Sequence, residues 1–222
     1  MGSPTSNTDQ LIDRLVADAS PVRRLVDPRR RAALWTAIAL VCTGLGVAHF
    51  GVRRDIASAV TVVPFLLRVG LLAATMWLSV VAAFRLAVPG EGQRAWTRWW
   101  PLLFLGALIS VVAAELVVVS LVGEVGSPLR AWTCVRKLTF VGALPALGAM
   151  VLIRRAAPLD PVWAALLGLV AAGAAGALTS ELACPIRVPM HVMLWHVLPI
   201  AVYAAAGTAA VWLVVHFRRV FA

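Results

Sequence analysis

Two cysteines and two histidines concentrate the chemistry available to this chain: Cys134, Cys184, His191 and His196. Thiolates and imidazoles together favour soft or borderline cations such as zinc, copper or cadmium, and two thiols on the same side of a membrane can also be oxidised to a disulfide. Three readings of Cys134 and Cys184 therefore stand side by side: a static disulfide, a redox-switched or metal-binding pair, and unpaired thiols. Cys42, among apolar neighbours, reads as a small packing residue. His191 and His196 are five residues apart, about 140° around a regular α-helix, so they do not grip one ion as an i, i+4 pair would. A four-ligand set is open to these residues only if the chain near Pro189 departs from regular helix.

The elements that must position these groups follow from composition. The chain has 222 residues, 61% of them hydrophobic and 14% charged, with a mean hydropathy of +0.90. These values exclude an ordinary soluble domain. A net charge of +10 would suit nucleic acid, but basic residues set between long apolar runs are instead topology signals, and direct nucleic-acid binding is not expected. Six apolar runs are long enough to cross about 30 Å of hydrocarbon as helices: residues 32–51, 62–84, 101–123, 132–153, 162–183 and 190–215. The expected fold is an all-α polytopic membrane protein, a six-helix bundle. Residues 1–31 form an arm and residues 32–222 the membrane domain. The first span follows a polar stretch and lacks a small-residue cleavage site, so it is not read as a removable signal peptide.

Orientation follows from the distribution of positive charge. With the N-terminus inside, 13 of the 20 basic residues fall in inner segments and 4 in outer ones, while Arg68, Arg136 and Lys137 fall within spans. Both termini are accordingly expected in the cytoplasm. At about 1.5 Å per residue, Cys134, Cys184 and His191 all come out at the outer ends of their spans. Arg68 and Glu115 reach similar depth in the outer half, where an unpaired charge is costly, and they are expected to form an interhelical ion pair. Arg136 and Lys137 lie near enough to the outer surface to snorkel, and Glu181 is expected to pair with one of them. Trp96, Trp99, Trp100 and Trp132 fit an interfacial aromatic belt.

The inner side carries a different signal. Leu11, Ile12, Leu15 and Val16 share one face of a short predicted helix, with Asn7 or Thr8 as its cap, Asp9 in its first turn and Ser20-Pro21 as its stop. Val22, Leu25 and Val26 continue the apolar stripe. So short an amphipathic helix cannot bury that face alone; it needs the membrane, the protein's own loops or a partner. Asp9, Asp13 and Asp18 disfavour simple adsorption to anionic lipid.

The chain resembles the NrsF-like multi-pass anti-sigma factors of bacteria over most of its length. The resemblance rests on DQLIDRLVADASPVRRL near the N-terminus, AFRLAVPG after the second span, Cys134 at the head of the fourth, and above all LACPIRVPMHVMLWH from Leu182 to His196. It implies a multi-pass protein of the bacterial cytoplasmic membrane that holds an extracytoplasmic-function sigma factor through cytoplasmic segments and releases it on stress. It also implies that Cys134 and Cys184 are the sensing pair, with His191 and His196 in the accompanying segment. The sigma factor would bind around Leu11, Ile12, Leu15, Val16, Val22 and Leu25. No catalytic residues and no enzyme activity are expected. Zinc or another soft metal ion is the cofactor candidate, and the lipid bilayer is the other partner. The competing functional classes are a small metal or ion transporter using Arg68 and Glu115, and a membrane thiol oxidoreductase. Paired broken helices, which the first would show, are not seen in the sequence, nor is the Cys-x-x-Cys or quinone site expected of the second.

Overall fold

The structure is a computed structural model that describes residues 7–18, 26–88, 96–122 and 132–220. All regular elements among them are helical. Helix α1 spans Asn7–Ala17, α2 Pro28–Phe50, α3 Ile56–Ala59, α4 Val63–Leu86, α5 Trp96–Val122, α6 Trp132–Arg155 and α7 Pro161–Ala183. The last span is composite: α8 (Pro189–Val192), a π-helical turn (Met193–Val197) and α9 (Leu198–Val220). Six helices, α2, α4, α5, α6, α7 and the composite last one, are long and apolar enough to cross a membrane. They begin at Pro28, Val63, Trp96, Trp132, Pro161 and Pro189.

Local chemistry sets several of these boundaries. Asp27 caps α2, its carboxylate accepting from Arg29 N–H at 2.7 Å, and Pro28 occupies the first turn, where a missing N–H costs nothing. Helix α2 ends at Gly51, whose φ of 86° is a conformation that glycine adopts without penalty. Asp160 caps α7 by accepting from Trp163 N–H, again with a proline in the first turn. At its other end α7 stops before Cys184-Pro185. A residue preceding proline is pushed from helical to extended backbone, and Cys184 has φ −108° and ψ 120°.

Helix α7 is the axis of the bundle. It packs against α2, α4, α6 and α9 and is buried along most of its length. Its run of Ala and Gly explains this position. With little hydrophobic drive between helices in lipid, close backbone approach supplies the packing. A Cβ on Gly176 would collide with the Leu138 carbonyl of α6, and one on Gly173 would press on Ile200 of α9. Reciprocal glycines serve the same contacts: Gly142 of α6 lies against the Ala172 carbonyl and Gly207 of α9 against Leu169. Side-chain hydrogen bonds cross-link the helices further. Trp35 Nε1 donates to the Pro145 carbonyl at 2.8 Å, Thr43 Oγ1 to the Ala175 carbonyl at 3.2 Å, and the Arg31 guanidinium to the Leu152 carbonyl. The outward faces of α5, α6 and α9 carry exposed large apolar residues such as Leu103, Leu147 and Val202, an exterior suited to acyl chains.

Four of the residues expected in the arm lie on α1: Leu11, Ile12, Leu15 and Val16, all exposed. Helix α1 ends at Ala17. Val22 and Leu25 lie outside the described residues, as does the expected stop at Ser20-Pro21.

Candidate functional site

Cys134, Cys184, His191 and His196 meet at the end of the bundle opposite the start of α2 and the end of α9. Each comes from a different local setting: the first turn of α6, the residue closing α7, the short α8 and the π-helical turn. All four are buried, and their candidate ligand atoms lie within 4.8 Å of one another. Cys134 Sγ is 3.6 Å from Cys184 Sγ, and the two sulfurs are 3.7 and 3.5 Å from His191 Nε2. Ile186 and Trp195 pack against the thiols, and Trp195 in turn lies 5.8 Å from Trp132, centroid to centroid.

The π-helical turn brings the two imidazoles onto one face. The Leu198 N–H reaches back to the Met193 carbonyl, an i to i+5 bond, so the turn accommodates one more residue than an α-helical one. The next residue, Pro199, has no N–H to offer the carbonyl four positions back, and its ring crowds that carbonyl in regular helix. A widened turn just before it relieves both problems. The His191 and His196 rings, about 140° apart on an ideal helix, are consequently 5.4 Å apart.

A buried ionic chain runs from this cluster into the bundle. Glu181 Oε2 lies 3.0 Å from His196 Nδ1, and Glu181 Oε1 accepts from Arg68 Nε at 2.8 Å. Arg68 Nη1 donates in turn to Glu115, 2.6 Å from Oε2. Arg68 and Glu115 thus meet across α4 and α5, but Arg68 also serves Glu181 of α7. The expectation that Glu181 pairs with Arg136 or Lys137 is corrected: Lys137 Nζ donates instead to the Ala183 carbonyl at 3.3 Å, and both Glu181 oxygens are taken by Arg68 and His196. The missed signal was depth. Glu181 lies about one turn below Cys184 on α7, and His196 a little more than one turn below His191 on the following span, which runs the other way.

A polar strap covers this end. Arg53 N–H donates to the Leu182 carbonyl at 3.0 Å, and Arg53 Nη1 reaches the Glu181 carbonyl at 3.3 Å. Asp55 accepts from Arg53 Nε at 2.8 Å and from Arg187 Nε at 2.7 Å, joining the α2–α3 connection to the Cys-Pro loop. The Arg53 guanidinium, followed by that of Arg187, holds the Asp55 carboxyl well below the usual carboxylate range.

The cluster supplies two buried thiols and two buried imidazoles, a donor set for a thiophilic cation, or alternatively two thiols placed to be oxidised together. No match was found among curated proteins or among solved structures. A family model described as "Negative regulator of sigma F" (NrsF) matches residues 15–217, covering the six long helices except the last three residues of α9, and the whole Cys/His cluster. The chain therefore belongs to the NrsF family of negative regulators of sigma F.

Proposed function

We propose that this negative regulator is a multi-pass anti-sigma factor of the bacterial cytoplasmic membrane, with both termini in the cytoplasm. It sequesters an extracytoplasmic-function sigma factor through α1 and the segment that follows, including Val22 and Leu25. It lets go when the Cys134/Cys184 centre on the periplasmic side reacts with a redox or metal stress. The distribution of positive charge supports this orientation.

The observation that carries the reading is the division of labour between the two ends of the bundle. The end opposite the start of α2 gathers the thiols, imidazoles and buried charges. The terminal arm presents an apolar face on α1 that is uncovered at Leu11, Ile12, Leu15 and Val16 and needs a partner to bury it. Helix α7 supplies the link between the ends. It is joined at one end to the cluster through Glu181 and Cys184, and at the other Asp160 forms an ion pair with Arg98 at 3.2 Å. A covalent or metal bridge between α6 and the end of α7 contributes about 2–4 kcal/mol, which changes a two-state equilibrium by roughly thirtyfold to a thousandfold.

The test is co-purification of the sigma factor with the full chain and with a chain lacking the residues before Ala32. Capture by the full chain and its loss from the truncated one are expected; undiminished capture by the truncated chain would sink the role of the arm.

A further inference from the structure

We propose that Cys134 Sγ, Cys184 Sγ, His191 Nε2 and His196 Nε2 are the four ligands of a resident d¹⁰ divalent cation of the zinc class. Glu181 is the positioning residue that fixes the His196 ring. This deepens the sensor reading above and rests on it only for what loss of the cation would report.

Bond lengths of about 2.3 Å to sulfur and 2.0–2.1 Å to nitrogen give a tetrahedral site edges of about 3.8 Å between sulfurs and about 3.6 Å from sulfur to nitrogen. The triangle formed by the two sulfurs and His191 Nε2 has edges of 3.6, 3.7 and 3.5 Å, the dimensions of one face of such a tetrahedron. A disulfide at about 2.05 Å would instead require the sulfurs to close by roughly 1.5 Å and would give neither imidazole a task.

His196 supplies the fourth corner. His196 is buried and its Nε2 has no hydrogen-bond partner among the described residues, although an unpaired buried nitrogen is costly. Its Nδ1 is occupied by Glu181. A carboxylate accepting from Nδ1–H fixes the tautomer that leaves the Nε2 lone pair free, the usual outer-shell arrangement for a metal-bound histidine. The π-helical turn is what brings His196 to the thiols, the candidate ligand atoms of all four residues lying within 4.8 Å of one another.

The donor set selects the cation. Both Glu181 oxygens are committed to Arg68 and His196, so no carboxylate oxygen is left over for magnesium or calcium. Two sulfurs and two nitrogens in tetrahedral array suit zinc or cadmium. Two thiolates neutralise the divalent charge, which makes the centre tolerable in a buried site. One cation would also tie together α6, α7 and the last span, where a disulfide would join only the first two.

The experiment uses the full chain purified in mild detergent under reducing conditions, without chelator. One equivalent of zinc per chain is expected by elemental analysis. Replacement by cobalt(II) is expected to give the d–d bands of a tetrahedral site together with a thiolate charge-transfer band. The Cys134→Ser/Cys184→Ser chain should lose both signals while keeping its elution volume. Glu181→Gln should retain one equivalent but bind about 10- to 100-fold more weakly. An unchanged cobalt spectrum and affinity in that variant would overturn the positioning role. Stoichiometric metal persisting in the double serine variant, or no metal in the wild type, would overturn the site. Sigma-factor capture measured on the same preparations separates the two readings. Capture without metal overturns the cation alone, whereas metal without capture supports the cation and overturns the regulator reading.

Discussion

Glu181 on α7 and His196 in the π-helical turn of the last span share a buried contact of 3.0 Å, and this contact joins the thiol cluster to the charges inside the bundle. Through it, His196, Glu181, Arg68 and Glu115 form one continuous polar path across four of the six spans.

Arg68 is the only cation of that path with two carboxylate partners. Arg68→Ala would leave Glu115 and Glu181 without their counter-charge in a low-dielectric setting, at an expected cost of about 3–5 kcal/mol. Thermal unfolding in detergent should show a large drop in midpoint. A combined Arg68→Met/Glu115→Gln/Glu181→Gln chain should recover much of the loss. Equal stabilities for the single and triple variants would show that the charges are not coupled.

Close backbone approach along α7 gives a second expectation. Gly176→Ala places a methyl group against the Leu138 carbonyl, a backbone atom that cannot step aside, whereas Gly106→Ala on α5 meets open space. The first should lose about 1–3 kcal/mol through overpacking, and the second should gain up to about 1 kcal/mol from helix propensity. Unfolding midpoints of the two single variants, measured side by side, check the contrast.

The strap over the cluster adds a pH dependence. Asp55 has its carboxyl held low by Arg53 and Arg187, so its contribution is present above the unfolded carboxylate value of about 3.9 and is lost as pH falls through the lower folded value. Stability of the wild type should therefore fall more steeply below about pH 4 than that of Asp55→Asn. Parallel curves of unfolding midpoint against pH would remove the strap from the account.

The regulator reading predicts what the thiols do. In cells carrying Cys134→Ser/Cys184→Ser, transcription from a promoter served by the captured sigma factor should no longer respond to an oxidant or to cadmium, while capture itself persists. A response of wild-type size in the double variant would rule out both redox and metal sensing through this pair.

Hydropathy alone determined the six-helix architecture, because a bilayer about 30 Å thick imposes a length that can be counted along the chain. Charge spacing and depth likewise brought Arg68 and Glu115 to one level, and placed Cys134, Cys184 and His191 at one end. These are one-dimensional properties, and a helix crossing lipid converts residue number into height. Rotation about each helix axis and the order of helices around the bundle are not one-dimensional, and only the tertiary structure decided them. Helix α7 became the axis because its Ala/Gly surface lets four neighbours approach. Glu181 consequently faces Arg68 and His196 rather than Lys137. The turn before Pro199 widened by one residue, and that single local departure from the α-helical period carried His196 round to the thiols.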